Sequence, residues 1–262
     1  MLEMRLLLIL VFVSPLVFGG TKSLESWNVN GETRTAIVFK PEFSASNKSP
    51  LVYIWHGHGG TAENFYQRVP IYKTWPEAIV VFPQGLKSKA PYDIHAERTG
   101  WQYSFGDYGD RDIKFFDKMH NHFMNTQAID ITKVHSMGSS NGGQFTYMLL
   151  KKRGYIFASV APAISASIGG HGYVNIDLPD VPILHITGRK ERSYANQKAL
   201  VMKIVDERAS QPPKQWKDVT TSQHYVSPKG DLVWYVHSQG HRWRTKDTSL
   251  VVDFFKSYPK HQ

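Results

Sequence analysis

Short apolar runs alternate along the chain with segments whose apolar residues recur at helical spacing. The runs are brief, continuous and rich in β-branched or aromatic residues, which is typical of buried strands. Strands are predicted at Leu51–Trp55, Ile79–Phe82, Lys133–Ser136, Phe157–Val160 and Ile183–Ile186. Helices are predicted at Asp112–Phe123, Phe145–Leu150, Lys198–Val205 and Ser249–Phe255. This alternation favours an α/β fold with a mostly parallel central sheet and helices on both faces.

The segment Gln223–His237 departs from the alternation. Its two apolar stretches flank Pro228, Lys229 and Gly230, which predicts a strand, a turn and a second strand near the C-terminal edge of the sheet. No internal repeat or long linker divides the 262 residues, so we expect residues 20–262 to form one domain. The chain has no cysteine, which excludes disulfides, thiolate metal sites and a cysteine nucleophile.

The first residues have the pattern of a secretory signal. Arg5 precedes an apolar run from Leu6 to Val13, and Val17-Phe18-Gly19 has the form of a cleavage site. The run is too short for a bilayer span, and a buried N-terminal element is the alternative. We expect a signal peptide over residues 1–19, a secreted product (extracellular or periplasmic) and no stable membrane insertion.

The net charge of +9 does not by itself identify a partner. The basic residues are scattered, with the densest groups at Lys151–Arg153 and Arg189–Arg192. No Arg-rich helix, zinc finger or RNA-recognition signature accompanies them, so nucleic acid is not an expected partner. Binding to an acidic substrate or matrix explains this charge better. The sequence does not indicate the oligomeric state.

A G-x-S-x-G sequence with Ser140 at its centre is the first candidate for chemistry. A predicted strand ends just before Gly138, and an apolar helix begins shortly after Gly142. This is the setting of a nucleophile elbow, in which a serine is exposed on a sharp turn and its neighbours must be small. A phosphate loop is the alternative, but no lysine follows at the required position.

A nucleophilic serine needs a general base and an acid that orients it. Glu191 follows the predicted strand Ile183–Ile186, and His241 follows the predicted hairpin. The order Ser140, Glu191, His241 is the order expected in this architecture. The alternatives are a solvated Glu191 among Arg189, Lys190 and Arg192, and an ordinary loop histidine.

The run His56-Gly57-His58-Gly59-Gly60 follows a strong strand and has the form of an oxyanion loop. The main-chain N–H groups of His58 and Asn141 are the expected oxyanion donors. A zinc site at His56 and His58 is the alternative, but no third ligand has motif spacing, and we expect neither metal nor cofactor.

Several segments together resemble one family. They are the runs at 56–60, 82–85, 100–102, 109–117, 138–143 and 240–241, and they span residues 50–260. Over this range the chain resembles the secreted polyhydroxybutyrate depolymerase-like or feruloyl esterase-like group of α/β-hydrolases. The resemblance implies a Ser-His-acid esterase and places Trp101 on a loop facing the nucleophile. Family members usually carry Asp where this chain has Glu191.

Trp101 and Trp243 are the candidate substrate-binding residues, and a buried core position is the alternative for Trp101. The segment Gly106–Asp112 lacks the spacing of a calcium loop, so Asp110 is expected to cap a helix and Asp112 to favour its N-terminus.

The function expected from these residues is a serine esterase acting on polysaccharide-linked hydroxycinnamoyl or acyl esters, or on polyester oligomers. The alternatives are an inactive relative that binds carbohydrate or polymer through the two tryptophans, and a serine peptidase.

Overall fold

The computed structural model describes residues 19–42, 47–169 and 176–260. The predicted signal segment lies outside the described residues, apart from Gly19. Among the described residues, the strands are Gly20–Val29 (β1), Glu32–Pro41 (β2), Ser49–Trp55 (β3), Ile79–Pro83 (β4), Leu86–Lys87 (β5), Thr99–Gly100 (β6), Ile129–Ser139 (β7), Ser159–Ala163 (β8), Ile183–Gly188 (β9), Lys214–Trp216 (β10), Val219–Tyr225 (β11) and Leu232–His237 (β12). The helices are Ala62–Arg68 (α1), Ile71–Thr74 (α2), Arg111–Thr126 (α3), Asn141–Arg153 (α4), Tyr194–Glu207 (α5) and Thr248–Ser257 (α6).

Ten of these strands form one sheet in the order β1-β2-β4-β3-β7-β8-β9-β12-β11-β10. The strands from β4 to β12 in this order pair in parallel, and the outer strands pair antiparallel. Successive residues of β3 alternate between two cores, with Tyr53 and Trp55 in one and Val52 and Ile54 in the other. Apolar side chains are therefore buried on both faces, and the predicted α/β fold class is confirmed.

The predicted elements differ from the observed ones mainly at their ends. The strand predicted at Phe157–Val160 lies at Ser159–Ala163, because Gly154–Ile156 forms a turn of 3₁₀ helix before it. Helix α4 begins at Asn141 rather than Phe145. The apolar pattern did not reveal its first turn because that turn contains two glycines. The predicted strand–turn–strand at Gln223–His237 corresponds to β11 and β12, although β12 lies inside the sheet.

Asp110 precedes α3 as predicted, but its side chain does not cap the helix. Its Oδ1 accepts hydrogen bonds from the Gly106 N–H and from Gln102 Nε2, so it organises the preceding loop. Asp112 lies in the first turn and is fully buried, with Arg34 Nη2 2.7 Å from its Oδ1. Its Oδ2 accepts from the Gln102 N–H, which ties the loop after β6 to β2 and α3.

Candidate active site

Ser140 forms a sharp turn between β7 and α4. Its φ of 57° and ψ of −120° lie outside the regions that non-glycine residues usually adopt. The turn is held by hydrogen bonds from the Ser140 N–H to Ala163 O and from the Gln144 N–H to Ser140 O. This backbone directs the serine hydroxyl away from the sheet, as a nucleophile elbow requires.

Gly138 and Gly142 flank this turn where no side chain fits. A Cβ on Gly138 would lie 2.2 Å from the carbonyl oxygen of Gly142, and one on Gly142 would lie 2.1 Å from that of Trp55. The predicted need for small residues on both sides of Ser140 therefore has a steric cause. The start of helix α4 packs so closely against the ends of two neighbouring strands that their main-chain atoms are in contact.

The structure brings Ser140, His241 and Glu191 into one hydrogen-bonded row, although 101 and 50 positions separate His241 from the other two. Nε2 of His241 lies 2.9 Å from Ser140 Oγ, and Nδ1 lies 2.8 Å from Glu191 Oε1. The carboxylate can only accept, so Nδ1 carries a proton and Nε2 can accept the serine proton. The row follows the carboxyl ends of the parallel strands β7, β9 and β12.

Glu191 is buried in this row, with only 2% of its side chain exposed. Its Oε1 also accepts a 2.5 Å hydrogen bond from Ser193 Oγ, which in turn accepts one from Gln197. Burial raises the pKa of Glu191, but the hydrogen bonds from His241 and Ser193 outweigh it and hold the pKa below its ordinary value. Arg189, Lys190 and Arg192 are exposed and form no ion pair with Glu191.

The glycine-rich loop after β3 lies directly beside the serine. A Cβ on Gly57 would lie 3.4 Å from the Cβ of Ser140. Neither the main-chain N–H of His58 nor that of Asn141 donates to another described residue. Asn141 opens helix α4, where N–H groups have no carbonyl partner within the helix. Both expected oxyanion donors are therefore available next to Ser140.

His56 fixes this loop through hydrogen bonds of its side chain. Its Nδ1 donates to Gly57 O and its Nε2 accepts from the Gly85 N–H, so both nitrogens are occupied. Burial lowers the pKa of His56 to about 4, which keeps the ring neutral at pH 7. His58 Nε2 instead bonds to Asp93, a residue that the sequence analysis missed. Within the described residues, no three potential ligands form a metal site.

Trp101 and Trp243 do not offer a substrate platform, and this prediction is wrong. Trp101 is fully buried between Trp55 and Phe145, and its Nε1 donates to His56 O. Trp243 is 7% exposed, and its Nε1 donates to Arg68 O. Both indoles pack in the core because each has an acceptor for its only polar group. The alternative for Trp101, a core position, is the one that holds.

Tyrosines, which the sequence analysis did not single out, lie on this side of the molecule. Tyr92 is 65% exposed, and its ring centroid lies 5.3 Å from that of His58. Tyr103 lies above the start of α4, where its carbonyl accepts from Gln144. A cavity of about 430 Å³ is bordered by Tyr103, Tyr108 and the segment 89–91. The irregular loop 86–108 that supplies these residues has no periodicity from which their positions could be predicted.

Comparison with solved structures identifies the fold. An S-formylglutathione hydrolase of Staphylococcus aureus superposes with a TM-score of 0.65, at 10% identity and with 93% of this chain and 99% of that chain covered. An acetyl xylan esterase of Aspergillus awamori gives 0.64 at 15% identity, covering 89% and 99%. This chain has the α/β-hydrolase fold.

A curated relative extends the likeness to the sequence. Feruloyl esterase D of Neurospora crassa is 25% identical over 241 residues, which cover 84% of this chain and 78% of the relative. The resemblance to feruloyl esterase-like α/β-hydrolases is thus confirmed, as is the predicted class of enzyme, a carboxylic ester hydrolase. No family model matches the chain. The polyhydroxybutyrate depolymerase-like part of the resemblance stays a prediction.

Proposed function

We propose that residues 20–262 form one domain of a secreted serine esterase, with Ser140 as nucleophile, His241 as general base and Glu191 as the orienting acid. The observation that carries the proposal is the single imidazole ring that joins Ser140 Oγ to Glu191 Oε1 through its two nitrogens. Hydrogen bonds of 2.9 and 2.8 Å are within the range that nucleophile activation needs.

In the acylation step, Ser140 Oγ attacks the ester carbonyl carbon while His241 Nε2 takes the hydroxyl proton. Negative charge develops on the carbonyl oxygen, where the N–H groups of His58 and Asn141 stabilise it. The tetrahedral intermediate then breaks its bond to the leaving alcohol, which receives the proton from His241. Glu191 remains ionised and stabilises the imidazolium that forms in between.

Deacylation repeats these steps with water as nucleophile. His241 removes a proton from the water as its oxygen attacks the acyl-enzyme. The same two N–H groups stabilise the second oxyanion, and the proton on His241 returns to Ser140 Oγ as the acid departs. His241 is 56% exposed at its side chain, so water reaches it directly.

The substrates we propose are hydroxycinnamoyl or acyl esters of polysaccharides, with polyhydroxyalkanoate-type oligomers as a second class. The names of the relatives, a feruloyl esterase and an acetyl xylan esterase, support the first class. The exposed ring of Tyr92 and the cavity beside Tyr103 favour an aromatic acyl group, because aromatic rings pack well on tyrosine.

Secretion is part of the proposal and rests on the apolar run that follows Arg5. No helix among the described residues is long and apolar enough to cross a membrane. The inactive, carbohydrate-binding alternative depended on an outward-turned Glu191 and on two accessible tryptophans. Glu191 is buried against His241, and both tryptophans are buried, so no observation favours that alternative.

The test is hydrolysis of p-nitrophenyl acetate and methyl ferulate by the purified protein and by its Ser140→Ala variant. We expect Ser140→Ala to remove nearly all turnover while the thermal midpoint changes by a few degrees at most. Turnover retained by the variant would reject Ser140 as nucleophile. A folded wild-type protein that cleaves neither ester would reject the esterase proposal.

A further inference from the structure

The loop 57–60 contains three glycines and one other residue, His58. Glycine leaves the main chain conformationally free, and Gly59 adopts a φ of +75°. A main-chain N–H stabilises an oxyanion only when its peptide plane is held within a fraction of an ångström. Hydrogen bonds from His56 to Gly57 O and between Thr99 and the Gly59–Gly60 backbone fix the two ends of this loop. The His58 peptide between them needs its own anchor if its N–H is to serve the reaction.

The side chain of His58 provides such an anchor. It is 4% exposed, and its Nε2 lies 2.7 Å from Oδ2 of Asp93, whose side chain is 7% exposed. Asp93 is fixed in turn by hydrogen bonds from the N–H groups of Glu97 and Arg98, each 3.0 Å long. Hydrogen bonds from Glu97, His58 and Arg98 lower the pKa of Asp93 to about 2, so it is a carboxylate at neutral pH.

The other side of the ring faces the second expected oxyanion donor. Nδ1 of His58 is buried and has no hydrogen-bond partner among the described residues. A Cβ on Gly100 would lie 2.6 Å from this Nδ1 and 2.8 Å from Oδ1 of Asn141. Asn141 also exchanges two hydrogen bonds with the main chain of Trp101. The imidazole and the Asn141 amide thus close around the backbone at Gly100.

Resting on the proposed esterase function, we propose that Asp93 is a positioning residue that holds the His58 ring and thereby aims the His58 N–H at the oxyanion. Asp93 does not touch the reacting atoms. It acts through one imidazole on a loop that has no other side chain, and the same ring packs beside Asn141. Asp93 lies in the loop that also carries exposed Tyr92, so the His58–Asp93 hydrogen bond, together with the two hydrogen bonds of Thr99 to Gly59 and Gly60, connects the loop 86–108 to the oxyanion loop.

The experiment compares Asp93→Asn, His58→Ala and His58→Gln with the wild-type protein. For each, kcat and KM for p-nitrophenyl acetate and the inhibition constant of phenylboronic acid are measured. The boronate forms a tetrahedral adduct on serine and places an oxygen at the oxyanion position. We expect Asp93→Asn and His58→Ala to lower kcat by about 10- to 1,000-fold with KM within about threefold. The boronate inhibition constant is expected to rise in parallel.

His58→Gln distinguishes positioning from proton transfer. The amide nitrogen of glutamine can donate to Asp93 but cannot act as an acid or a base, so this variant is expected to retain more activity than His58→Ala. Equal loss in both variants would overturn the positioning role of the His58–Asp93 hydrogen bond.

Asp231→Asn is the matched control. Asp231 Oδ2 lies 2.8 Å from His224 Nε2, but this pair is at the amino end of β12, the opposite end of the sheet from Ser140. The Asp231→Asn variant is expected to have a changed thermal midpoint and an unchanged kcat. An Asp93→Asn variant that behaves like Asp231→Asn would reject the inference alone. Wild-type protein without Ser140-dependent turnover would reject the proposed function and this inference with it.

Discussion

The α-carbon of Gly188 faces the carbonyl oxygen of Gly240 at a distance that leaves no room for a side chain. A Cβ on Gly188 would lie 2.5 Å from Gly240 O and 2.6 Å from Gln239 O. Gly188 ends β9, just before Glu191, and Gly240 precedes His241. Because the two loops touch at this glycine, the acid and the base can approach within hydrogen-bonding distance.

Gly188→Ala is expected to separate the two loops and to reduce kcat for p-nitrophenyl acetate by about 100-fold, since misplacement of about 1 Å has effects of this size. Gly240→Ala is the control from the same contact. A Cβ there would meet its nearest atom, Lys190 O, at 3.4 Å, which is an ordinary contact. Equal kcat losses in both variants would show that the spacing at Gly188 is not what positions His241.

Replacement of Glu191 tests whether a glutamate serves where family members usually carry aspartate. Glu191→Gln is expected to lower kcat by about 10³- to 10⁴-fold, because an amide stabilises neither the required tautomer nor the imidazolium. Glu191→Asp shortens the side chain by one methylene and should lengthen the 2.8 Å bond to His241, with a smaller loss. Stopped-flow or steady-state measurement of kcat for both variants tests this prediction. Wild-type turnover in Glu191→Gln would remove Glu191 from the mechanism.

The tyrosines near the oxyanion loop are expected to set the preference for aromatic acyl groups. Tyr92→Ala and Tyr103→Ala should each lower kcat/KM for methyl ferulate by about tenfold, as loss of an aromatic contact worth roughly 1.4 kcal/mol would. Hydrolysis of methyl butyrate should change by less than about twofold. Tyr155, which is 71% exposed near the amino ends of the strands, supplies the control Tyr155→Ala. Parallel losses on both esters would contradict a role in selectivity.

Buried neutral histidines are expected to make the fold sensitive to mild acid. Burial lowers the pKa of His56 and His185 to about 4 and that of His135 to about 3, from an ordinary value of 6.5. Below pH 6.5 the unfolded chain binds protons at these rings while the folded protein does not. The free energy of unfolding should therefore fall as the pH drops from 6.5 toward 4, at roughly 1.4 kcal/mol per pH unit for each fully responding ring.

Urea unfolding at pH 7.5, 6.0 and 5.0 measures this dependence. His135→Asn should flatten the slope by about one proton, because its ring no longer titrates on unfolding. Equal free energies of unfolding at pH 7.5 and 5.0 would contradict neutral burial of the three histidines.

The parallel strands and the turn at Ser140 could be predicted because continuous apolar runs and glycine spacing are local signals. The expected order of serine, acid and histidine along the chain likewise predicted Glu191 and His241, whose side chains do meet at the ends of neighbouring strands. The tryptophans could not be assigned in the same way. An indole on a loop is compatible with both a core and a surface position until the acceptors of its N–H are known, and here these are main-chain oxygens.

The N-terminal hairpin of β1 and β2 was missed although a signal for it exists. Asn30 and Gly31 both adopt positive φ and connect Val29 to its partner Glu32, and Asn-Gly is a strong two-residue hairpin signal. Strand β1 is rich in exposed polar residues, so the apolar pattern did not reveal it, whereas β2 contains the buried apolar run 36–39, which the sequence analysis did not assign to a strand. Asp93 could not be predicted, since its partner His58 is 35 positions away and no pattern connects them.

Strand β12 fills the position between β9 and β11, and the loop that follows it supplies His241. Ser140 consequently has no base until a strand from far along the chain has joined the sheet. Contacts between such distant positions are slow to form because the intervening chain must first be ordered. On dilution from denaturant, the return of ester hydrolysis should therefore mark the completion of the sheet. The rate at which activity returns then measures the rate of the last stage of folding.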